Sequence, residues 1–303
     1  MSGILRAVAA FIMIACAATA LAQDAVLKPF VLAWKGAGDV AQKVEATKAA
    51  LGQAGFSIAG SYSPYANTTV IGVTNDELRT TAAKSEHGGY GAAMRVAVVK
   101  VKDEIQVSYT NPPYWANAYR MAGELKDTAA KLQAALGKVE EFGAKGLTAE
   151  QLRKYHYAFG MEYFNEDNTF VSYSSHEEAV KAVEAGLAAG RQGVTKVWRV
   201  DLPAKKEVLF GVAMKGSPDS KQMDDTYLMS EIDFKDVKSA AHLPYEILVA
   251  DKTVFAQYAR FRIAISFPDL SMMGANSFMN IMKSPEAIRE ALALTVGGKK
   301  DAR

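Results

Sequence analysis

Apolar residues recur along this chain in two rhythms, and the rhythms alternate. Residues 26–34 form a strand-like run rich in Val, Phe and Leu. Asp39 then begins a helix, with Gln42 three residues on completing a capping box. Val40, Val44 and Leu51 mark its buried stripe, Thr47 falls on the same stripe, and Gly55 ends it. Residues 56–62 and 68–73 follow as strands around Pro64 and Asn67, and Asn75 starts a short helix. Residues 94–101 and 105–109 read as a hairpin; the first of these is apolar on both faces, which predicts burial on both sides. Pro112 and Pro113 stop the ladder because proline has no N–H to give it. A helical region is predicted over residues 114–142, with Leu125, Leu132, Leu136 and Val139 as its stripe.

The second half repeats the order. Thr148 with Gln151 predicts a capped helix, stapled by Leu147 and Leu152. Residues 157–164 and 169–173 read as strands, Ser175 with Glu178 caps a helix, and Val180, Val183 and Leu187 face inward. Residues 194–200 and 208–214 are strands, and residues 247–250 and 254–267 form a second hairpin around Asp251 and Lys252. Helices over residues 271–282 and 285–294 close the chain, with Pro285 suited to a first turn. Phe30-Val31-Leu32 matches Phe170-Val171-Ser172, and residues 101–105 match 250–254 at the hairpin tips. His87-Gly-Gly-Tyr90 and His242-Leu-Pro-Tyr245 stand before the two hairpins. Their distances to the tips differ, thirteen residues from Tyr90 to Asp103 against six from Tyr245 to Asp251, so equivalence of the two motifs stays open. The expected organisation is a leader over 1–22, a first domain over 23–146 and a second over 147–303.

The run Val-Ala-Val-Val-Lys-Val-Lys-Asp-Glu-Ile-Gln-Val-Ser-Tyr-Thr-Asn-Pro-Pro-Tyr-Trp-Ala-Asn-Ala-Tyr-Arg, residues 96–120, resembles the domain of unknown function 302 family. The likeness lies in a strand, a tight acidic turn, a Val-Ser-Tyr strand end, an Asn-Pro and a helix with a late Tyr. Residues 244–288 look like a more divergent copy. The resemblance implies an α+β fold of two related sandwich domains, each a largely antiparallel sheet with helices on one face. It implies no activity and no catalytic residues. Two copies in one chain would mimic a homodimer, with a pseudo-two-fold axis between them.

Composition narrows the chemistry. Arg6, the apolar run over residues 7–18 and Ala20-Leu21-Ala22 read as an export leader cleaved before Gln23. The working chain is then periplasmic or secreted, and no later apolar stretch is long enough to span a bilayer. The one cysteine, Cys16, lies in the leader, so cleavage removes the only thiol. A second reading, Met13-Ile14-Ala15-Cys16 as a lipobox with Cys16 lipidated, stays open. Without Arg6, 34 basic side chains stand against 33 acidic ones, a net charge of +1 with no basic block. That excludes a nucleic-acid footprint.

No Gly-x-Ser-x-Gly elbow occurs, and no motif names a cofactor. Of the four histidines, His87 and His242 stand in loops beside Tyr90 and Tyr245. Aromatics gather around Asn111, Tyr114 and Tyr119, where an apolar body with a polar tip suits recognition. The leading expectation is therefore a non-enzymatic binding protein for a small molecule or partner protein, with its cleft near residues 111–119 or between the halves. One alternative is copper binding by His242 with Met272, Met273, Met279 and Met282, since thioethers suit Cu(I). Another is an enzyme in which His87 or His242 works with a tyrosine as acid and base.

Overall fold

The computed structural model describes residues 25–158 and 160–300. The leader and Cys16 lie outside the described residues. The first half runs β1 (Phe30–Gly36), α1 (Val40–Gln53), β2 (Ser57–Tyr62), β3 (Thr68–Thr74), α2 (Asp76–Ala83), β4 (Met94–Val101), β5 (Glu104–Thr110), α3 (Pro112–Ala118), α4 (Lys126–Leu136) and β6 (Glu140–Phe142). After α5 (Ala149–Arg153) the second half runs β7 (Asp167–Ser172), α6 (His176–Ala188), β8 (Val194–Leu202), β9 (Glu207–Met214), α7 (Asp225–Ile232), β10 (Tyr245–Ala250), β11 (Thr253–Gln257), α8 (Ala259–Ser266) and α9 (Ser284–Thr295).

Both sheets are antiparallel and share one strand order, β2-β3-β4-β5-β1 in the first and β8-β9-β10-β11-β7 in the second; β6 is added at the first sheet's edge. The fold is thus α+β with two sheet-and-helix units. The match extends to irregularities. β2 bulges between Ile58 and Gly60, and β8 bulges between Lys196 and Trp198. β1 bulges between Leu32 and Trp34, and β7 carries the corresponding extra residue opposite Val254 and Phe255. Bulges fix local twist and register, so the two units align residue by residue. Gly72 opposite Arg95 corresponds to Gly211 opposite Glu246.

This register settles one open question, corrects one match and refines a third. His242 lies four residues before Glu246, and four before Arg95 stands Gly91, so the two His-x-x-Tyr motifs are not equivalent. Phe170 sits at the β7 bulge and corresponds to Ala33, not Phe30. The hairpin tips are alike, but β4 runs six residues from Arg95 to its last pair at Val101, and β10 runs four from Glu246 to Ala250. The first hairpin is therefore longer by two residue pairs.

Local capping follows the sequence. Asp39 accepts from the Gln42 amide but the expected return bond from the Gln42 side chain is not made, whereas Thr148 with Gln151 makes a complete box. Ser175 accepts from the Glu178 amide, but the Glu178 carboxylate turns to Ser174, leaving that box half made. Thr47 is tolerated on the buried stripe because its hydroxyl donates to the Lys43 carbonyl at 2.7 Å. Elsewhere tertiary context overrides the pattern. Residues 114–142 split into two helices and the edge strand β6. The described residues among 157–164 form no strand, residues 254–267 divide into β11 and α8, and residues 271–282 keep only a 3-10 turn at Phe278–Ile281.

Alternate side chains of the second sheet divide between two cores. Val208, Phe210, Val212, Ile247 and Val249 pack with α6, α7 and α9, whereas Val200, Leu202, Leu209 and Leu248 join the core of the first half. Each sheet thus covers its outer face with helices and its inner face with the other sheet. Leu152 and Phe164 also belong to the first core, so that core reaches beyond residue 146.

The sheets cross at Trp198. Its indole lies where a Cβ on Gly72 or Gly211 would stand, and Gly60 meets the Val197 carbonyl just as closely. Glycine is required at these three positions for close approach of backbone and ring, not for an unusual φ. The indole is 1% exposed.

Candidate functional site

Residues that correspond by register meet their own counterparts, which places an approximate two-fold axis between the halves. Arg95 donates to Glu246 at 2.9 Å, and both are buried. Trp115 and Arg262, each five residues beyond the equivalent strand ends Thr110 and Gln257, also touch: the Arg262 guanidinium lies 5.3 Å from the indole centre. Arg95 lies 5.0 Å from the same ring. Two guanidiniums thus share one indole and one carboxylate, with Arg262 Nε 3.8 Å from the second Glu246 oxygen. Burial works most strongly against the Arg95 charge, but Glu246 and Tyr119 together outweigh it and raise its pKa. Burial and the neighbouring Arg95 lower Arg262. Arg262 offsets this by donating to the carbonyls of His242 at 2.7 Å and Pro244 at 3.1 Å.

His242 belongs to this axial cluster and is fully buried. Ser266 Oγ donates to the Arg262 carbonyl and so accepts from His242 Nδ1 at 2.8 Å; Tyr245 donates to Nε2 at 3.4 Å. Burial, then Arg262 and Arg95, push its pKa well below the usual histidine value. A neutral imidazole with both nitrogens engaged is a packing element here. Tyr114 donates to the Ile265 carbonyl at 2.7 Å, Trp115 to the Pro29 carbonyl at 2.8 Å, and Asn111 to the Lys28 carbonyl at 2.9 Å. Tyr90 and Tyr119 pack edge-on and stacked against Phe164.

The predicted ligand-binding set is therefore corrected. Tyr90, Asn111, Tyr114, Tyr119, His242 and Tyr245 are all buried, and none lines a cavity described below. They are spent inside the protein: Tyr114 reaches across the halves to the Ile265 carbonyl, Asn111 is held by the Lys28 carbonyl of its own half, and His242 and Tyr245 engage each other. His87 is half-buried at a left-handed φ of 44°, its ring 5.1 Å from that of Phe255. The metal set is corrected too. Met272, Met273, Met279 and Met282 are 43–74% exposed while His242 is sealed inside, so the five do not share a site. Among the described residues no three His, Cys, Asp or Glu side chains gather for a metal ion.

A cleft does open between the halves, away from the axis. Its volume is about 550 Å³. One wall is the end of the long β4–β5 hairpin with the β2–β3 turn: Tyr65, Thr68, Val99, Lys100 and Val101. The other is α7 and the loop after it: Thr226, Met229, Ser230, Asp233, Phe234 and Lys238. Lys100 and Val101 belong to the two residue pairs by which this hairpin exceeds its counterpart.

The cleft walls are tied together at both ends. Thr226 donates to the Pro64 carbonyl at 3.1 Å, and Tyr62 donates to the Asp225 carboxylate at 3.0 Å. Gln106 of β5 donates to the Asp236 carbonyl and accepts from the Lys238 amide, both at 3.0 Å. Asp233 accepts from the Ser239 amide at 2.9 and 3.1 Å. Burial raises its pKa to about 7, against the pull of the Ser239 amide and of Lys238 and Lys235. Burial likewise raises Asp225 to about 7 and Tyr65 above its usual value. The result is an apolar slot with one carboxyl group at its base and lysines at its margin. Sequence reasoning placed a cleft between the halves as one option and counted Tyr62 and Tyr65 among the clustered aromatics, but assigned no residue to this cleft.

Comparison with protein-family models, characterised proteins and solved structures gave no match for this chain.

Proposed function

We propose that this chain is an exported binding protein that holds a small, partly apolar molecule in the cleft between its two halves. The observation that carries the reading is the 550 Å³ volume bounded by two tethered walls. Ligand sites favour concave, mostly apolar surfaces with a few convergent polar groups, and volumes of about 300–1,000 Å³. Export is supported by the Arg6-to-Ala22 leader pattern. The shared strand order and matching bulges support two copies of one domain, in line with the family resemblance of residues 96–120.

The test uses the uncharged fluorophore N-phenyl-1-naphthylamine with the full chain and a Ser230→Trp variant. Ser230 is exposed at the cleft wall, so an indole there fills the volume without entering either core. Saturable fluorescence enhancement by the parent and its loss in Ser230→Trp is the expected outcome. Equal binding by both would remove the cleft from the account.

A further inference from the structure

The cleft's charges select among ligands, and this step rests on the cleft reading above. Lys100 lines the slot, and its ammonium has no hydrogen-bond or ion-pair partner among the described residues. The other charged groups that line the slot, Lys238 and Asp233, are committed. Lys238 Nζ donates to the Asp233 carbonyl at 2.8 Å, and Glu104 on the same hairpin faces Lys35 at 3.9 Å. The Asp233 carboxyl points to the Ser239 amide, with Lys235 and Lys238 around it. The slot's uncommitted charge is therefore a cation beside an apolar surface made by Val99, Val101, Met229 and Phe234.

We infer that the cleft takes an anionic amphiphile, an apolar body with one carboxylate, sulfonate or phosphate group that meets Lys100. The body would lie against Val99, Met229 and Phe234. Phe234 is 50% exposed, which leaves apolar area to be covered by such a ligand. The acid group then gains a charge-assisted hydrogen bond that an uncharged analogue lacks. Recognition of this kind separates ligands of equal size by charge.

Two fluorophores with the same rings make the test. 1-Anilinonaphthalene-8-sulfonate carries the anion, and N-phenyl-1-naphthylamine does not. They are titrated into the full chain, Lys100→Gln, Lys100→Arg and Ser230→Trp. The inference expects the sulfonate to bind the parent about tenfold tighter than the neutral probe, a difference of one charge-assisted contact. Lys100→Gln should erase that margin, leave the neutral probe within twofold, and lose nothing in Lys100→Arg. Equal affinity of the two probes, or a margin that survives Lys100→Gln, overturns the anionic preference but leaves the cleft standing. No saturable binding of either probe, or binding untouched by Ser230→Trp, overturns the cleft and the preference together.

Discussion

The approximate two-fold axis creates two junctions between a hairpin and a helix of the opposite half, and they have opposite fates. One is the cleft, where the long β4–β5 hairpin faces α7. At the other, the shorter β10–β11 hairpin meets the segment after α2, and the gap is closed. There the Gly89 amide donates to Glu207 at 2.9 Å, and a Cβ on Gly89 would strike Leu248. A Cβ on Gly88 would meet the Ala82 carbonyl. Gly89 lets the backbone settle against the second sheet where a side chain would have kept it away, and Gly88 lets the same segment fold back on the end of α2. Two extra residue pairs on the first hairpin build a wall that its counterpart lacks. One topology thus yields a seat or a seal, depending on hairpin length and a pair of glycines.

The largest effect is expected at the axis that holds both junctions in place. Glu246→Ala leaves Arg95 and Arg262 buried without their carboxylate, and loss of one partner of a buried pair costs about 3–5 kcal/mol. Urea unfolding should show it as a lower midpoint with little change of slope. A Glu246→Ala chain as stable as the parent would mean the axis is not what binds the halves.

Next in size is the contrast between the junctions themselves. Gly89→Ala forces Leu248 and Glu207 aside and should cost about 1–3 kcal/mol, as overpacking does. Ser230→Ala at the open junction should stay within about 0.5 kcal/mol. Similar midpoints for the two variants would erase the distinction between seal and seat.

The last effect is a slope with pH, read per pH unit and not as a single shift. Asp233 keeps its proton in the fold up to about pH 7, well above an unfolded aspartate. A group with a raised acid pKa adds stability that is complete below about pH 4 and is lost as pH climbs to about 7. The decline is at most about 1.4 kcal/mol per pH unit for this one group. Asp233→Asn should flatten the fall in urea midpoint between pH 4.5 and 7.5. Asp225 contributes with the same sign and keeps part of the slope in that variant. An unchanged profile in Asp233→Asn would place the titration elsewhere.

What was legible in the sequence was local. Asp39, Asn75, Thr148 and Ser175 start helices where their side chains and the following apolar spacing say they should. The strand–helix order was legible for the same reason from β1 to β5 in the first half and from β7 to β9 in the second. The error over residues 254–267 has a physical source. Phe261, Ile263 and Ile265 read as a strand by composition, but the chain turns helical and brings Arg262 over Trp115. That choice depends on a residue nearly 150 positions away, which no window detects. The aromatic set around Tyr114 was visible as a cluster, yet its meaning was not, because Tyr114 finds its carbonyl at Ile265. The cleft was illegible because Tyr65, Lys100 and Asp233 come together only once the two sheets cross. One hint was present: the unequal spacing from tyrosine to hairpin tip partly records the longer hairpin that forms the cleft's wall.

Trp198 carries a consequence for assembly. By register its counterpart is Gly60, and its indole already fills the room beside both Gly72 and Gly211. A pair of identical second halves would have to place two indoles in that one space, and a pair of first halves would leave it empty. Neither half can therefore partner a copy of itself in this geometry. The peptide link between them does more than keep two modules at hand: it guarantees a one-to-one pairing of a plug with its socket, which free subunits could achieve only by sorting.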